Sequence, residues 1–392
     1  IDAGRDFSVL RLLYEHKDEN RLGLGYLGTQ VVGPRYEASV QGLDVHYGLG
    51  SGLFGVDMQL VQSDRAGETG RGGILDVRYA ASSAIQHKFE FEYFDSKVNV
   101  NDLGFLRRNN YRGGQYLLSY AYPKPGRWFQ ATRGTLIFRH QENLTAGQVV
   151  DQGVFWRNTL VLKGRNTIRS AIAYLPSRYE DRNSRGNGAY KTSDRIWLNA
   201  LWATDASRPL SFSTSIGGLQ EDLGDWTLNL TAGVTARLSD SLYFDLDLAY
   251  KRRTGWVVYQ GGREFGAFDA IDLQPSFDLN WFLAADHQIK FSFQWAGVKA
   301  YERQAYRVPS ADGALQRRAG AAGPRDFTVS LLTTQVRYRW EIAPLTDFYV
   351  VYNRGNQLPP TEADAFGDLL SDAFQDPVVS SLVVKLRYRF GG

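Results

Sequence analysis

The chain has 392 residues, with no cysteine, one methionine, 40 glycines, 14% aromatic residues, and 45 basic against 42 acidic side chains for a formal net charge of +3. So balanced a charge excludes the strongly basic surface of a nucleic-acid-binding protein, and the lack of cysteine excludes a disulfide framework while suiting export through an oxidising compartment. No stretch approaches the roughly 20 apolar residues of a membrane-spanning helix, but a negative mean hydropathy does not exclude a barrel, whose strands show only every second side chain to lipid.

The chain opens at Ile1 without a basic and apolar leader, so the numbering is expected to start partway along a longer precursor. A first strand is expected near 7–14. Short connections then recur at 16–21, 48–52, 82–84, 123–126, 164–166, 205–208, 239–241, 284–287 and 343–345. Between them lie mostly longer polar linkers, at 64–72, 99–114, 142–148, 179–193, 259–266, 303–325 and 353–377, with 220–225 the short exception. Outer-membrane barrels sort their connections in this way, with short periplasmic turns and longer external loops; soluble all-β proteins have no reason to.

Within the segments the period is two. Phe89, Phe91 and Tyr93 oppose Lys88, Glu90 and Glu92. From Trp226 to Leu238 the odd and even positions divide cleanly, with Trp226, Leu228, Leu230, Ala232, Val234, Ala236 and Leu238 against Thr227, Asn229, Thr231, Gly233, Thr235 and Arg237. Such a run reaches the ~9–11 residues that cross a bilayer at a tilt and exceeds the ~5–6 usual in soluble sheets. Leu242, Phe244, Leu246, Leu248 and Tyr250 oppose Asp245, Asp247 and Lys251; Ile289, Phe291, Phe293 and Trp295 oppose Gln288, Lys290, Ser292 and Gln294. A soluble sandwich gives the same alternation with shorter strands and its polar face outward. Trp128, Trp202, Trp226, Trp281, Trp295 and Trp340 fall near strand ends, as interfacial girdles require. At the end of the chain Leu382, Val384, Leu386, Tyr388 and Phe390 oppose Lys385, Arg387 and Arg389. This reads as a closing strand with a periplasmic C-terminus, and Leu386, Tyr388 and Phe390 resemble the signal taken up by the barrel-assembly machinery. The expected fold is all-β, a transmembrane antiparallel up-and-down β-barrel of roughly 18–20 strands, in one domain over 1–392. The count is about nineteen, and an odd number leads to the expectation of an upstream strand, and of a periplasmic domain, before Ile1.

The run Asn101-Asp102-Leu103-Gly104-Phe105-Leu106-Arg107-Arg108, with Tyr111 and Arg112 after it, resembles a stretch in outer-membrane proteins whose C-terminal barrel is a domain of unknown function. Asp347-Phe348-Tyr349-Val350-Val351-Tyr352-Asn353-Arg354 resembles the penultimate strand of that group. Its members usually carry an N-terminal domain similar to family-nine carbohydrate-binding modules. The resemblance implies an outer-membrane location and offers no established catalytic residues to carry over.

Inward basic residues gather near the periplasmic strand ends at Arg237, Arg337, Arg339, Arg387 and Arg389, close to Lys163 and Arg165. They either bias the lumen toward anions or brace the wall by pairing with inward carboxylates such as Glu90, Glu92, Asp245 and Asp247. The external motif Gly104, Phe105, Leu106, Arg107 and Arg108 either offers its arginines to lipopolysaccharide phosphates or folds back into the barrel mouth; folding back is expected, because Phe105 and Leu106 would otherwise be exposed. Residues 361–374 carry apolar side chains at helical spacing and are expected to form a short helix that caps the pore or binds a partner. Asp44 and His46 share one face but read as a wall contact, and no catalytic, cofactor or metal site is expected. The resulting expectation is a porin-like or partner-gated conduit of unknown cargo in the bacterial outer membrane. The alternative is a non-conducting anchor or scaffold for a periplasmic or surface module, and an enzyme is a distant third. Expected partners are outer-membrane lipid, lipopolysaccharide, the barrel-assembly machinery and a protein partner or plug, with no nucleic acid.

Overall fold

The computed structural model describes residues 4–34, 36–319, 325–358, 365–375 and 377–389. Phe390 and residues 361–364 of the expected helical segment lie outside the described residues. The protein is almost entirely β. Its strands are β1 (Asp6–Lys17), β2 (Asn20–Val32), β3 (Glu37–Leu49), β4 (Phe54–Arg65), β5 (Glu68–Ala80), β6 (Ile85–Phe94), β7 (Tyr111–Tyr122), β8 (Phe129–Asn143), β9 (Val149–Leu162), β10 (Thr167–Leu175), β11 (Tyr179–Glu180), β12 (Tyr190–Lys191), β13 (Arg195–Ala203), β14 (Leu210–Gln220), β15 (Trp226–Ser239), β16 (Leu242–Gly261), β17 (Glu264–Ala284), β18 (His287–Arg307), β19 (Gln316–Arg317), β20 (Phe327–Ala343), β21 (Thr346–Leu358) and β22 (Val379–Arg387). One helix, α1 (Phe366–Gln375), precedes the last strand. Twenty strands belong to one antiparallel sheet. Setting aside β11, β12 and β19, each two residues long, nineteen long strands remain, as the alternation predicts.

The chain divides into two compact units, one comprising 1–126, 131–158 and 172–181, the other 127–130, 159–171 and 182–392. In the first unit each strand from β1 to β8 pairs antiparallel with the next. Because the side-chain period is two, the register decides which residues share a face. Here it puts apolar beside apolar. Leu12 stands opposite Tyr26, Tyr26 opposite Leu43, Leu43 opposite Leu60, and Val56 opposite Val77, Val77 opposite Phe89, Phe89 opposite Tyr116, Tyr116 opposite Phe138. In the second unit the same rule joins Ile216 to Leu230 and Tyr250, and Phe244 to Leu279, Phe291, Val336, Tyr352 and Leu382. Each unit therefore has one apolar and one polar face.

Two of the linkers expected to be long are hairpins. Residues 64–72 contain a two-residue turn at Ala66 and Gly67, whose φ values of 53° and 82° fit a primed turn matching the strand twist. Residues 259–266 turn at Gly262 and Arg263 between β16 and β17, and β16, β17 and β18 run to 20, 21 and 21 residues. Neither place shows the period of two: cross-strand backbone bonds sustain the hairpin at 64–72 without apolar alternation, and next to the turn at 262–263 consecutive residues Phe265, Gly266, Ala267 and Phe268 are all buried by local packing.

Candidate functional site

The polar faces carry the chemistry. In the first unit the register lines up ionisable side chains strand after strand. His46 on β3 has Nδ1 2.7 Å from Asp57 Oδ1 and Nε2 3.4 Å from Asp44 Oδ2. Arg11 reaches Asp44 at 3.6 Å from β1, and Arg78 binds Asp57 from β5. Lys88 lies 3.1 Å from Asp76 and also binds Glu90, to which Gln115 donates; Arg139 donates to Gln115 at 3.2 Å and reaches Asp151 at 3.3 Å, which Arg178 also binds. The expected Asp44 and His46 pair is thus one link in a belt of alternating charge. Asp44 is buried, 7% exposed, because its neighbour on β2 is Gly25; a Cβ there would stand 2.1 Å from Asp44 Oδ2.

The connection between β6 and β7 lies over this polar face. Asp95 accepts backbone N–H bonds from Arg71, Lys97 and Val98, and Asn99 N–H donates to Ser63 Oγ at 2.9 Å. Val98 packs with Phe94 and Tyr111, joined by Val61, Ile74, Val100 and Leu106. Asp102 accepts from Tyr36 and lies 3.4 Å from Arg65. Arg108 forms a two-pronged bond with Asp181, at 3.0 and 2.7 Å, and Asn143 donates to the same carboxylate at 2.6 Å. The five motif residues part company: Gly104 lies against the Val100 carbonyl, Leu106 joins the apolar cluster, Arg108 is tied down, Arg107 is exposed, and Phe105 projects 85% exposed.

In the second unit Asp245 and Asp278 are directly opposite on the polar face, with Asp247 two residues along β16. Nearer the short turns the sign reverses. Lys290 is opposite Arg337, and Arg339, Lys385 and Arg387 follow on the same face. Arg339 binds Asp347 at 2.7 Å and Glu341 at 2.8 Å, and Arg237 donates to the Ala206 carbonyl of a turn at 2.5 Å. Arg337, Arg387 and Arg389 form no ion pair among the described residues, and Arg389 lies just past the end of β22. Of the carboxylates considered as partners, Glu90 and Glu92 are engaged within the first unit, Glu92 accepting from Tyr111 at 2.6 Å and Glu90 held by Lys88 and Gln115, while in the second unit Asp245 is opposite Asp278 and Asp247 opposite Ser276. Like charges opposite one another repel, so the Lys290 and Arg337 pair leaves a positive patch that Asp347 and Glu341 offset only in part. Lys290 and Lys385 belong to it although the arginines alone were singled out; their place in the alternation was the available signal.

Outside the paired walls, two carboxyl groups are shifted by their surroundings. Asp205, in the turn before β14, is held below its ordinary value by the Ser207 backbone N–H and hydroxyl. Burial pushes Glu221, between β14 and β15, upward, opposed by the Thr227 hydroxyl. The apolar faces end in aromatic side chains at the short-turn end, where His287 Nδ1 lies 2.6 Å from the Tyr338 hydroxyl and its ring stacks on Tyr338 and Trp340. His87 repeats the arrangement with Tyr116 at 2.7 Å. Trp295, by contrast, is not a girdle residue: it is 3% exposed, buried under α1.

These features define a class: a long-stranded antiparallel meander whose strands present one apolar and one charged face, with a connection secured over the charged one. The chain belongs to the family described as "Domain of unknown function (DUF5916)", whose model matches residues 29–390. A comparison with curated proteins finds no match. Among solved structures the chain is similar to the ferric enterobactin receptor PfeA of Pseudomonas aeruginosa in a doubly substituted form, at 9% identity and a TM-score of 0.41, covering 98% of this chain and 73% of that one. It is also similar to PfeA in complex with BCV-L6, at 8% identity and a TM-score of 0.42, covering 98% and 74%. At such identities and TM-scores the likeness does not extend to a ligand or an activity.

Proposed function

We propose that the protein is an outer-membrane β-barrel whose apolar faces meet lipid and whose polar faces line a water-filled conduit, biased toward anions at its short-turn end. The observation that carries this reading is the register. Row after row across each unit, apolar side chains stand beside apolar ones yet remain open to the surroundings, Leu246 at 48% and Leu248 at 44%. A protein in water buries so large an apolar surface or covers it with a partner. Hydrocarbon satisfies it everywhere at once. On β15 the open apolar band runs from Trp226 to Val234, about 27 Å along the strand at ~3.4 Å per residue. At a tilt of about 40° that is about 20 Å of membrane normal, close to the ~25 Å of such bands.

In this reading the short turns and the end of β22 face the periplasm, the long connections face outward toward lipopolysaccharide, and Leu386, Tyr388 and Phe390 present the assembly signal. The carbohydrate-binding module that the sequence resemblance implies would make the barrel the membrane part of a larger protein. A second reading, a non-conducting anchor for a partner module, is favoured by one observation: residues 95–110 lie fixed over the polar face of the first unit. Current through the purified protein in a planar bilayer separates the two. Steady currents carried more by anions than by cations are expected; no current above that of the bare bilayer would refute the conduit and leave the anchor.

A further inference from the structure

Helix α1 stands out because of the face it occupies. Its apolar side chains Phe366, Leu369, Leu370 and Ala373 pack on Trp295, Leu332, Leu273 and Phe293. Those wall residues share the face of Phe291 and Val336, since Trp295 is opposite Leu332 and Phe291 opposite Val336 in an unbroken register. A helix capping the pore would lie on the other face, over Ser292 and Gln335. Of the two expected roles, capping the pore or binding a partner, the place of α1 on the apolar face disfavours the cap. An amphipathic period tells which side of a helix is buried but not which wall buries it.

The docking is specific. Trp295 Nε1–H donates to Ser330 Oγ at 2.9 Å, and Ser330 donates in turn to the Leu369 carbonyl at 2.9 Å. Asn356 donates to the Ala373 carbonyl at 3.3 Å and Arg354 to that of Phe374. These two polar side chains lie on the apolar face at the level where its apolar run stops: from the short-turn end, β21 presents Phe348, Val350 and Tyr352 and then Arg354 and Asn356. The helix sits at that transition. Its outward side carries Asp368 and Ser371, whereas Phe374 stacks on Phe293 at 6.1 Å, one step down the band, and remains 39% exposed. Val378, just beyond, is 72% exposed, and Leu382 on β22 continues the apolar surface at 67%.

We infer that α1 is an interfacial anchor. It lies against the outer wall at the lipid–water boundary of the external leaflet, with Phe374 and Val378 inserted among acyl chains and Ser371 in water, so its partner is lipid and not a solute in the lumen. This rests on the reading of the apolar face as the lipid face. The chain has no cysteine, so single-cysteine variants of the full chain take one fluorescent label each. Phe374→Cys, Val378→Cys, Ser371→Cys and, as a control in mid-band, Leu246→Cys are labelled with bimane and reconstituted in dioleoylphosphatidylcholine vesicles with and without the chain-brominated lipid. Bromine is expected to quench the labels at 374, 378 and 246 and to leave that at 371 unchanged. Quenching at 246 with none at 374 or 378 would overturn the anchor while sparing the membrane wall. No quenching at 246 would overturn the wall, and the anchor with it. If Phe374→Cys disturbs the docking, the 378 label decides alone, because Val378 lies outside the helix and its contacts.

Discussion

The clamp between Arg108 and Asp181 gives the sharpest test of how the connection over the polar face is held. Both side chains are largely buried, at 17% and 12% exposure, so removing one leaves the other charge desolvated and without its two-pronged bond. For a buried pair that loss is about 3–5 kcal/mol; the Asn143 bond to Asp181 remains and water reaches the loop, so about 2–3 kcal/mol is expected for Arg108→Ala, felt locally. Since 1.4 kcal/mol is a factor of about ten, amide exchange at Val98, Asn99 and Leu106, whose N–H groups are bonded to side chains, should quicken by roughly 30- to 150-fold. Strands β4 and β5 should keep their protection. The double variant Arg108→Met, Asp181→Leu should recover most of the lost protection, because an apolar pair leaves no buried charge behind. Exchange unchanged in Arg108→Ala, or quickened evenly across the sheet, would refute the clamp as a local fastening.

Arg337→Glu with Arg387→Glu should shift ion preference from anions toward cations, with reversal potentials under a salt gradient as the readout; an unmoved reversal potential would remove the basic patch from selectivity. Gly25→Ala should destabilise by about 1–3 kcal/mol, since its Cβ would collide with Asp44, and a lowered unfolding temperature of the detergent-solubilised protein checks it. Glu302 lies beyond the apolar band; burial alone would raise its value, but the donors of Arg325 outweigh burial and hold it below the usual 4.5. A carboxylate depressed on folding stabilises fully above its unfolded value and loses that contribution as pH falls through the folded one. Stability should therefore decline below about pH 4.5 in the parent more steeply than in Glu302→Gln, and parallel acid curves would contradict this.

What was legible in the sequence was whatever one face alone decides. Trp226–Ser239 alternates because the two sides of β15 carry opposite chemistry, and the nineteen long strands follow from repeating that test along the chain. The extensions of β16, β17 and β18 were hidden because both of their sides are polar or locally packed, as in the Phe268, Ala270 and Ala300 cluster. The partners of the charged residues were hidden for another reason. Asp181 meets Arg108 from 73 residues away, and no local spacing encodes such a meeting. Arg387 looked ready to pair, yet Asp347 opposite it is taken by Arg339, a competition that only the register reveals. Residues 361–374 announced a helix by period but not the wall it would choose, because Trp295 and Leu332 looked like any other members of the apolar row.

Reactivity along β16 tests the assignment of the two faces most directly. Cysteines placed one at a time at positions 244–249 and treated with a membrane-impermeant maleimide in reconstituted vesicles should react at 245, 247 and 249 and stay silent at 244, 246 and 248. Uniform reactivity, or labelling at 246 and 248 with silence at 245 and 247, would contradict the placing of hydrocarbon on one face and water on the other.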